Sequence, residues 1–425
     1  MSGGWSLRRV ALLKLWTPIL LGGFVVPSHV QGFSLHGFVE VAGGLRVVED
    51  STQPKDLVLG EGRVQLEVSQ EWKAGPRLFL KTDFLGDVAD EAVTVDLREG
   101  YVDYSPLPNL DLRVGRQIIT WGTGDFLFIN DVFPKDYISF FIGRQPQYLK
   151  LASDALKASL FVGAVSVDLV AIPFFTADTV LTGERLSFYD GLTNQIVGKD
   201  ASIVLTKPAR TPANTEWALR LLRQFGSYEV ALYGFKGFFH SPLGVRDSPR
   251  RELFYPELAV YGGSVRGPVL EGIAYLELGY YDSLEDRAGG NPFVENSSMK
   301  YLVGYERQAW SDFTLGFQYF VEQMLHFDRF TTSQPPGAPS RDEFRHLLTL
   351  RLTQLLRYQT VELSLFVFFS PSDLDYYLRP AVSYKITDQL TAVLGANLFG
   401  GAKQSTAFGQ LEANDNVYLR LTYSF

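Results

Sequence analysis

Hydrophobic and polar residues alternate along this chain with a period of two, and the C-terminal segment shows it most clearly. Val417, Leu419, Leu421, Tyr423 and Phe425 fall on one side of an extended strand, and Asn416, Tyr418, Arg420, Thr422 and Ser424 on the other. Such alternation marks a strand with one apolar and one polar face. Marking it upstream gives eighteen segments, from Phe33–Arg46 and Gly62–Lys73 through Val93–Tyr104 and Leu110–Trp121 to Tyr377–Ile386, Leu390–Phe399 and Asn416–Phe425. Most reach the roughly 9–11 residues that a tilted strand needs to cross a bilayer.

The phase fails in two places. Asp96-Leu97-Arg98-Glu99 does not keep a single face through Tyr104, and near Gly115 strict alternation sets Arg116 beside Val114 on the apolar side. A charge facing lipid at mid-depth costs about 2–4 kcal/mol. The sequence therefore predicts a bulge at Gly115, since one added residue turns the next side chains to the opposite face, with Arg113 and Arg116 both turned inward.

The connections sort by length. Ala74-Gly75-Pro76, Ser105–Asn109, Gly163-Ala164, Phe225–Ser227, Gly267-Pro268, Ala309–Asp312, the stretch around Arg357 and Thr387–Gln389 make every even-to-odd turn short. The odd-to-even connections are mostly longer and reach Gly122–Asp154 and Phe175–Thr215. Loops sorted this way predict an all-β fold, a transmembrane antiparallel up-and-down β-barrel of about 18 strands in an outer membrane, with both termini periplasmic. Leu419, Leu421, Tyr423 and Phe425 then resemble the C-terminal signal that the barrel assembly machinery of Gram-negative bacteria reads.

Arg8 and Arg9 precede an apolar run from Leu15 to Val26, and Val30-Gln31-Gly32 offers a cleavage site. This predicts a secretory signal peptide over 1–32 and a barrel over 33–425. The absence of cysteine excludes disulfides and thiolate metal sites. After the signal no apolar run reaches the roughly 18 residues of a membrane helix. Hydrophobic residues still make up 46% of the chain; in a barrel they would face lipid instead of a core.

Leu97-Arg98-Glu99-Gly100-Tyr101-Val102, Arg113-Val114-Gly115-Arg116-Gln117 and Trp121-Gly122 together resemble a passage of alginate-export-type and related porin-like outer-membrane barrels. The resemblance implies a passive channel for small or polymeric hydrophilic solutes. It carries over Arg113 and Arg116 as pore arginines and Glu99 as an acidic position. It does not imply alginate as cargo.

Arg46, Lys157, Arg220, Arg351, Arg379, Glu277 and Glu322 are among many charges of both signs on the polar faces, so the lumen is expected to be polar and water-filled. The segment Gly122–Asp154 is unusual for a loop in holding Phe126, Phe128, Ile129, Phe133, Phe140 and Phe141. Exposing such surface is unfavourable by about 25 cal/mol per Å². The loop is therefore expected to fold inward, with a short helix between Pro134 and Gly143. Asp125, Asp131, Lys135, Asp136 and Arg144 would then form a constriction facing Arg113 and Arg116. An outer cap packed on its own aromatics is the alternative.

Catalysis finds no support. None of His36, His240, His326 or His346 is followed by a serine two residues on, the five histidines do not cluster, and Gly122-Thr123-Gly124 lacks the remainder of a nucleotide fingerprint. No catalytic residue, cofactor or metal is expected, and a net charge of −8 argues against nucleic acid. The expected partners are membrane lipid, the assembly machinery and a hydrophilic solute, and a homo-oligomer is compatible with the sequence. Two functions remain open: a porin-like channel for passive diffusion or export, and a structural sheath around a partner such as an electron-transfer cytochrome.

Overall fold

A computed structural model describes residues 32–73 and 75–425. The signal-peptide expectation thus falls, but for Gly32, outside the described residues. Eighteen antiparallel strands close into one barrel. The first seven are Phe33–Arg46 (β1), Leu57–Glu71 (β2), Arg77–Asp87 (β3), Ala92–Leu107 (β4), Leu110–Gln117 (β5), Ser153–Val162 (β6) and Val165–Ile172 (β7). After a long loop come Glu216–Phe225 (β8), Tyr228–Phe238 (β9), Glu257–Val269 (β10), Gly272–Ser283 (β11) and Ser298–Trp310 (β12). The last are Phe313–Met324 (β13), Phe344–Leu356 (β14), Val361–Ser370 (β15), Asp375–Lys385 (β16), Leu390–Gly401 (β17) and Asn416–Ser424 (β18). β18 closes on β1, from Ser424 opposite Phe38 to Asn416 opposite Arg46. Closure leaves no edge strand, so ladder N–H and C=O groups are paired where lipid offers them nothing.

Period two decides which side chains meet lipid. On β1, Val39, Val41 and Leu45 are exposed while Phe38, Glu40, Ala42 and Arg46 are buried. On β18, Val417, Leu419 and Leu421 point out, and Asn416, Tyr418 and Arg420 point in. Exposed aromatics flank the outward band: Trp72, Phe225, Trp310, Tyr358 and Phe425 at the short-turn end, Trp217, Phe344 and Tyr376 at the long-loop end. Two such girdles are the pattern of a membrane-spanning barrel.

Three local features depart from the sequence pattern. β5 stops at Gln117 instead of Trp121, so the inward loop begins at residue 118. The turn after β10 is Leu270-Glu271, with φ of 46° and 63°, and Pro268 sits inside β10 opposite Ile273. The bulge lies on β4, not at Gly115. Lys81 faces Glu99 and Thr82 faces Leu97, leaving Arg98 as the extra residue.

β5 keeps unbroken register with both neighbours through Gly115 and Arg116. Gly115 has φ +128°, and a Cβ there would lie 2.3 Å from the Gly100 carbonyl oxygen. Glycine is required, yet no residue is added. Arg116 therefore shares the outward face with Val114 and pairs with Asp154 at 3.4 Å, contrary to its expected place on the lumen wall. The physical reason is depth. Arg116 is next to last in β5, at the long-loop end, where an outward charge costs about 0–1 kcal/mol and needs no bulge to rescue it.

Candidate functional site

The loop of residues 118–152, between β5 and β6, turns into the barrel. Its helix, Tyr137–Phe141 (α1), begins where Asp136 accepts a 2.9 Å hydrogen bond from the Ser139 N–H. Gly143 comes just after it at φ +86°. The loop buries Ile129, Phe133 and Phe140 among inward side chains that include Val170, Leu302, Phe368, Tyr377 and Phe399. Phe140 meets Tyr377 edge-on at 5.7 Å, and Phe141 meets Phe399 at the same distance. Each such side chain contributes about 1.5–3 kcal/mol on burial. Apolar residues thus do more than face lipid. At the level of this loop they form a dry core inside the barrel, and the expectation of a uniformly polar, water-filled lumen is corrected there.

Buried polar anchors fix where the loop lies. Glu277, on β11 and 1% exposed, accepts from the Thr123 N–H (2.8 Å), the Thr123 hydroxyl (3.0 Å), the Asn130 N–H (2.7 Å) and the Asn130 side-chain amide (2.9 Å). Gly262 makes the approach feasible, since a Cβ would lie 1.8 Å from Asn130 Oδ1. Asp125 takes a bidentate grip from Arg351 on β14, at 2.5 and 2.6 Å, and its backbone exchanges two hydrogen bonds with Gln318 on β13. On the other side Arg144 reaches Glu61 on β2, and the Tyr148 hydroxyl donates to Asp83 at 2.8 Å. The Tyr148 ring is flanked by Arg63 at 4.1 Å and Arg98 at 4.6 Å.

Glu277→Leu should loosen the loop without unfolding the barrel. It orphans four donors, each worth about 1–3 kcal/mol when buried unpaired. Hydrogen exchange over residues 123–130 should quicken while the strands stay protected; unchanged exchange would deny Glu277 its anchoring role.

The expected constriction charges divide sharply. Asp131, Lys135 and Asp136 are buried. Lys135 binds Asp131 at 3.0 Å, and Arg144 joins Glu61 and Asp136. These four hold the loop and present no free charge. Asp125 alone of the loop set stays partly open, its side chain 32% exposed beside Arg351 at 35%. On the wall, Arg113 pairs with Asp103 at 2.6 Å and lies over Tyr101 at 4.0 Å, while Glu99 pairs with Lys81 at 3.6 Å. Arg116 lies outside.

Two residues not singled out by their sequence context complete the site. Arg351 and Arg379 both lie over the Phe126 ring, at 5.2 and 5.4 Å. Arg379 also lies over Phe140 at 3.9 Å; among the described residues no carboxylate is within ion-pair reach of it. Both stood on polar strand faces in the sequence. Only their partners were invisible.

The second long loop, residues 173–215, ties onto the first. Asp178 accepts from the Lys135 N–H at 2.7 Å and from the Ser241 hydroxyl at 2.6 Å, and its own N–H donates to the His240 carbonyl. His240 is held by Glu216, 3.2 Å away. Burial pushes the His240 imidazole down, but Glu216 outweighs it and leaves the pKa above the ordinary histidine value.

No protein-family model matches the chain, and no curated protein does. Solved structures do match. OccK2 (OpdF) of Pseudomonas aeruginosa, solved in complex with glucuronate, gives a TM-score of 0.57 at 8% identity, covering 92% of this chain and 98% of that one. OccD3 (OpdP) of the same organism gives 0.55 at 10% identity, covering 93% and 91%. OccAB3 of Acinetobacter baumannii gives 0.55 at 9%, covering 92% and 99%. At such identities the likeness is one of fold, and it extends over nearly the whole chain.

Proposed function

We propose that this protein is an outer-membrane channel through which small hydrophilic solutes diffuse passively, with its short turns in the periplasm and its lumen narrowed by residues 118–152. The observation that carries the reading is the partly open Asp125–Arg351 pair with Arg379 beside it, at the edge of a loop whose other charges are buried. Fixed charge at a narrow section sets which ions enter easily. The fold likeness to the Occ barrels supports a channel. OccK2 was solved with glucuronate, and a carboxylated sugar of that kind would suit an arginine without a carboxylate partner. The alginate-export-type motif is compatible with this reading through Arg113 and Glu99, though not through Arg116. A sheath around a separate protein is disfavoured, because the loop occupies the section of lumen the partner would need.

Conductance of the purified protein in planar bilayers tests the proposal. Arg379→Ser should move the reversal potential in a KCl gradient toward cation preference, by removing a positive charge that no acid offsets. Arg116→Ser, which alters an outward pair at the rim, should leave it unchanged. Equal shifts from both would place the selectivity elsewhere.

A further inference from the structure

At the long-loop end, two cavities of about 570 and 310 Å³ share Glu322 and Arg341 in their walls. Volumes of this order suit small-molecule sites. Three ion pairs reach into them. Arg341 grips Glu295 through hydrogen bonds of 2.9 and 2.7 Å. Lys300 lies 3.1 Å from Glu322, and Arg345 lies 2.7 Å from Asp373. None of the three is sealed, for the six side chains keep between 18% and 46% of their surface exposed. Gln334, in the wall of the larger cavity, has an amide nitrogen buried without a partner.

These three cations and three anions cancel one another but leave strong local fields of both signs, and the remaining charges of the larger cavity, Asp342, Glu343 and Lys403, are likewise mixed in sign. A simple ion entering it is drawn to one member of a pair, repelled by the other, and surrenders hydration. A neutral polyol avoids that loss but adds no charge of its own to the contacts. A molecule carrying both signs sets its cationic group against a carboxylate and its carboxylate against a guanidinium. Every desolvated charge stays paired, and the new contacts are charge-assisted from both sides, about twice as strong as neutral ones.

We propose that this six-charge cluster binds small zwitterionic solutes, those with one cationic group and one carboxylate, as a waypoint above the loop. The inference rests on the channel reading. Asp373 and Arg345 set its balance, because each is the other's partner and both line the larger cavity.

The test uses the full mature protein in planar bilayers in KCl, with glycylglycine, maltose, gluconate or ethanolamine added to either side. Glycylglycine should block the current at a concentration at least about tenfold below the others, as the second charged contact, which gluconate and ethanolamine lack, supplies the roughly 1.4 kcal/mol that tenfold requires. Asp373→Asn frees Arg345 and should turn the preference toward gluconate. Arg345→Gln frees Asp373 and should turn it toward ethanolamine. Glu295→Gln, in a loop, is a second acid-removing variant should Asp373→Asn not fold. General damage to the site would not move acid and base variants in opposite directions. Equal block by all four probes, or shifts of the same sign, would overturn the zwitterion assignment. A folded protein with no conductance at all would overturn the channel reading instead.

Discussion

Replacing Phe126–Gln147 by a short Gly/Ser linker should raise single-channel conductance several-fold. The resistance of a pore concentrates at its narrowest section, and this segment carries α1, the Phe126 edge and the loop side chains Leu127, Ile129, Phe133 and Phe140 that fill the barrel core. The wall does not depend on it, because all eighteen strands are paired with one another and β18 closes on β1. The deletion leaves Phe368, Tyr377 and Phe399 facing water, which lowers stability by a few kcal/mol on the scale of buried aromatic side chains. It also removes Arg144 from Glu61, a buried acid that keeps its pair with Arg63 and that entering water can hydrate. A properly folded deletion protein with wild-type conductance would mean that the solute path runs elsewhere, and the constriction would have to be abandoned.

The strands were legible because a barrel wall has one rule, lipid on one side and lumen on the other, and period two states it locally. The inward loop was legible for a related reason. Phe126, Phe133, Phe140 and Phe141 had to leave water, and a long loop at one end of a barrel has the lumen to enter. Partners were not legible. Asn130 meets Glu277 across a separation of 147 positions and Asp125 meets Arg351 across 226; periodicity assigns a face, never the residue opposite.

Lys135 and Arg144 illustrate the same limit, since a charged loop reads identically whether its charges line a pore or neutralise each other in a core. The bulge is different. The phase failure at Asp96–Glu99 was present in the sequence, and Arg98 is where the register slips. Gly115 drew attention away from it because Arg116 was placed at mid-depth, whereas β5 ends one residue later.

A chain ending at Tyr423 should not accumulate as assembled barrel. The Gly37 N–H donates to the Phe425 carbonyl and the Phe425 N–H to the Gly37 carbonyl, both at 3.0 Å, and the Ser424 N–H donates to the Gln389 carbonyl at 2.9 Å. Truncation removes these three bonds at the seam where the last strand meets the first and the preceding one. In water each lost bond would be worth about 0.5–1.5 kcal/mol; at a membrane boundary the exposed strand groups have fewer substitutes. The Phe425 ring rests against Gly37, where a Cβ would come within 2.8 Å of it, and the same aromatic belongs to the short-turn girdle. We further propose that Leu419, Leu421, Tyr423 and Phe425 are the residues the assembly machinery recognises, which makes the loss kinetic as well as thermodynamic. Phe425→Ala separates the two, because it keeps the backbone bonds and removes only the ring. Heat-modifiable mobility and surface protease resistance read both. The truncated chain should lose the folded form almost completely, and Phe425→Ala should assemble slowly yet reach normal stability once folded. Wild-type levels of both variants would show that closure neither needs the terminal residues nor depends on their recognition.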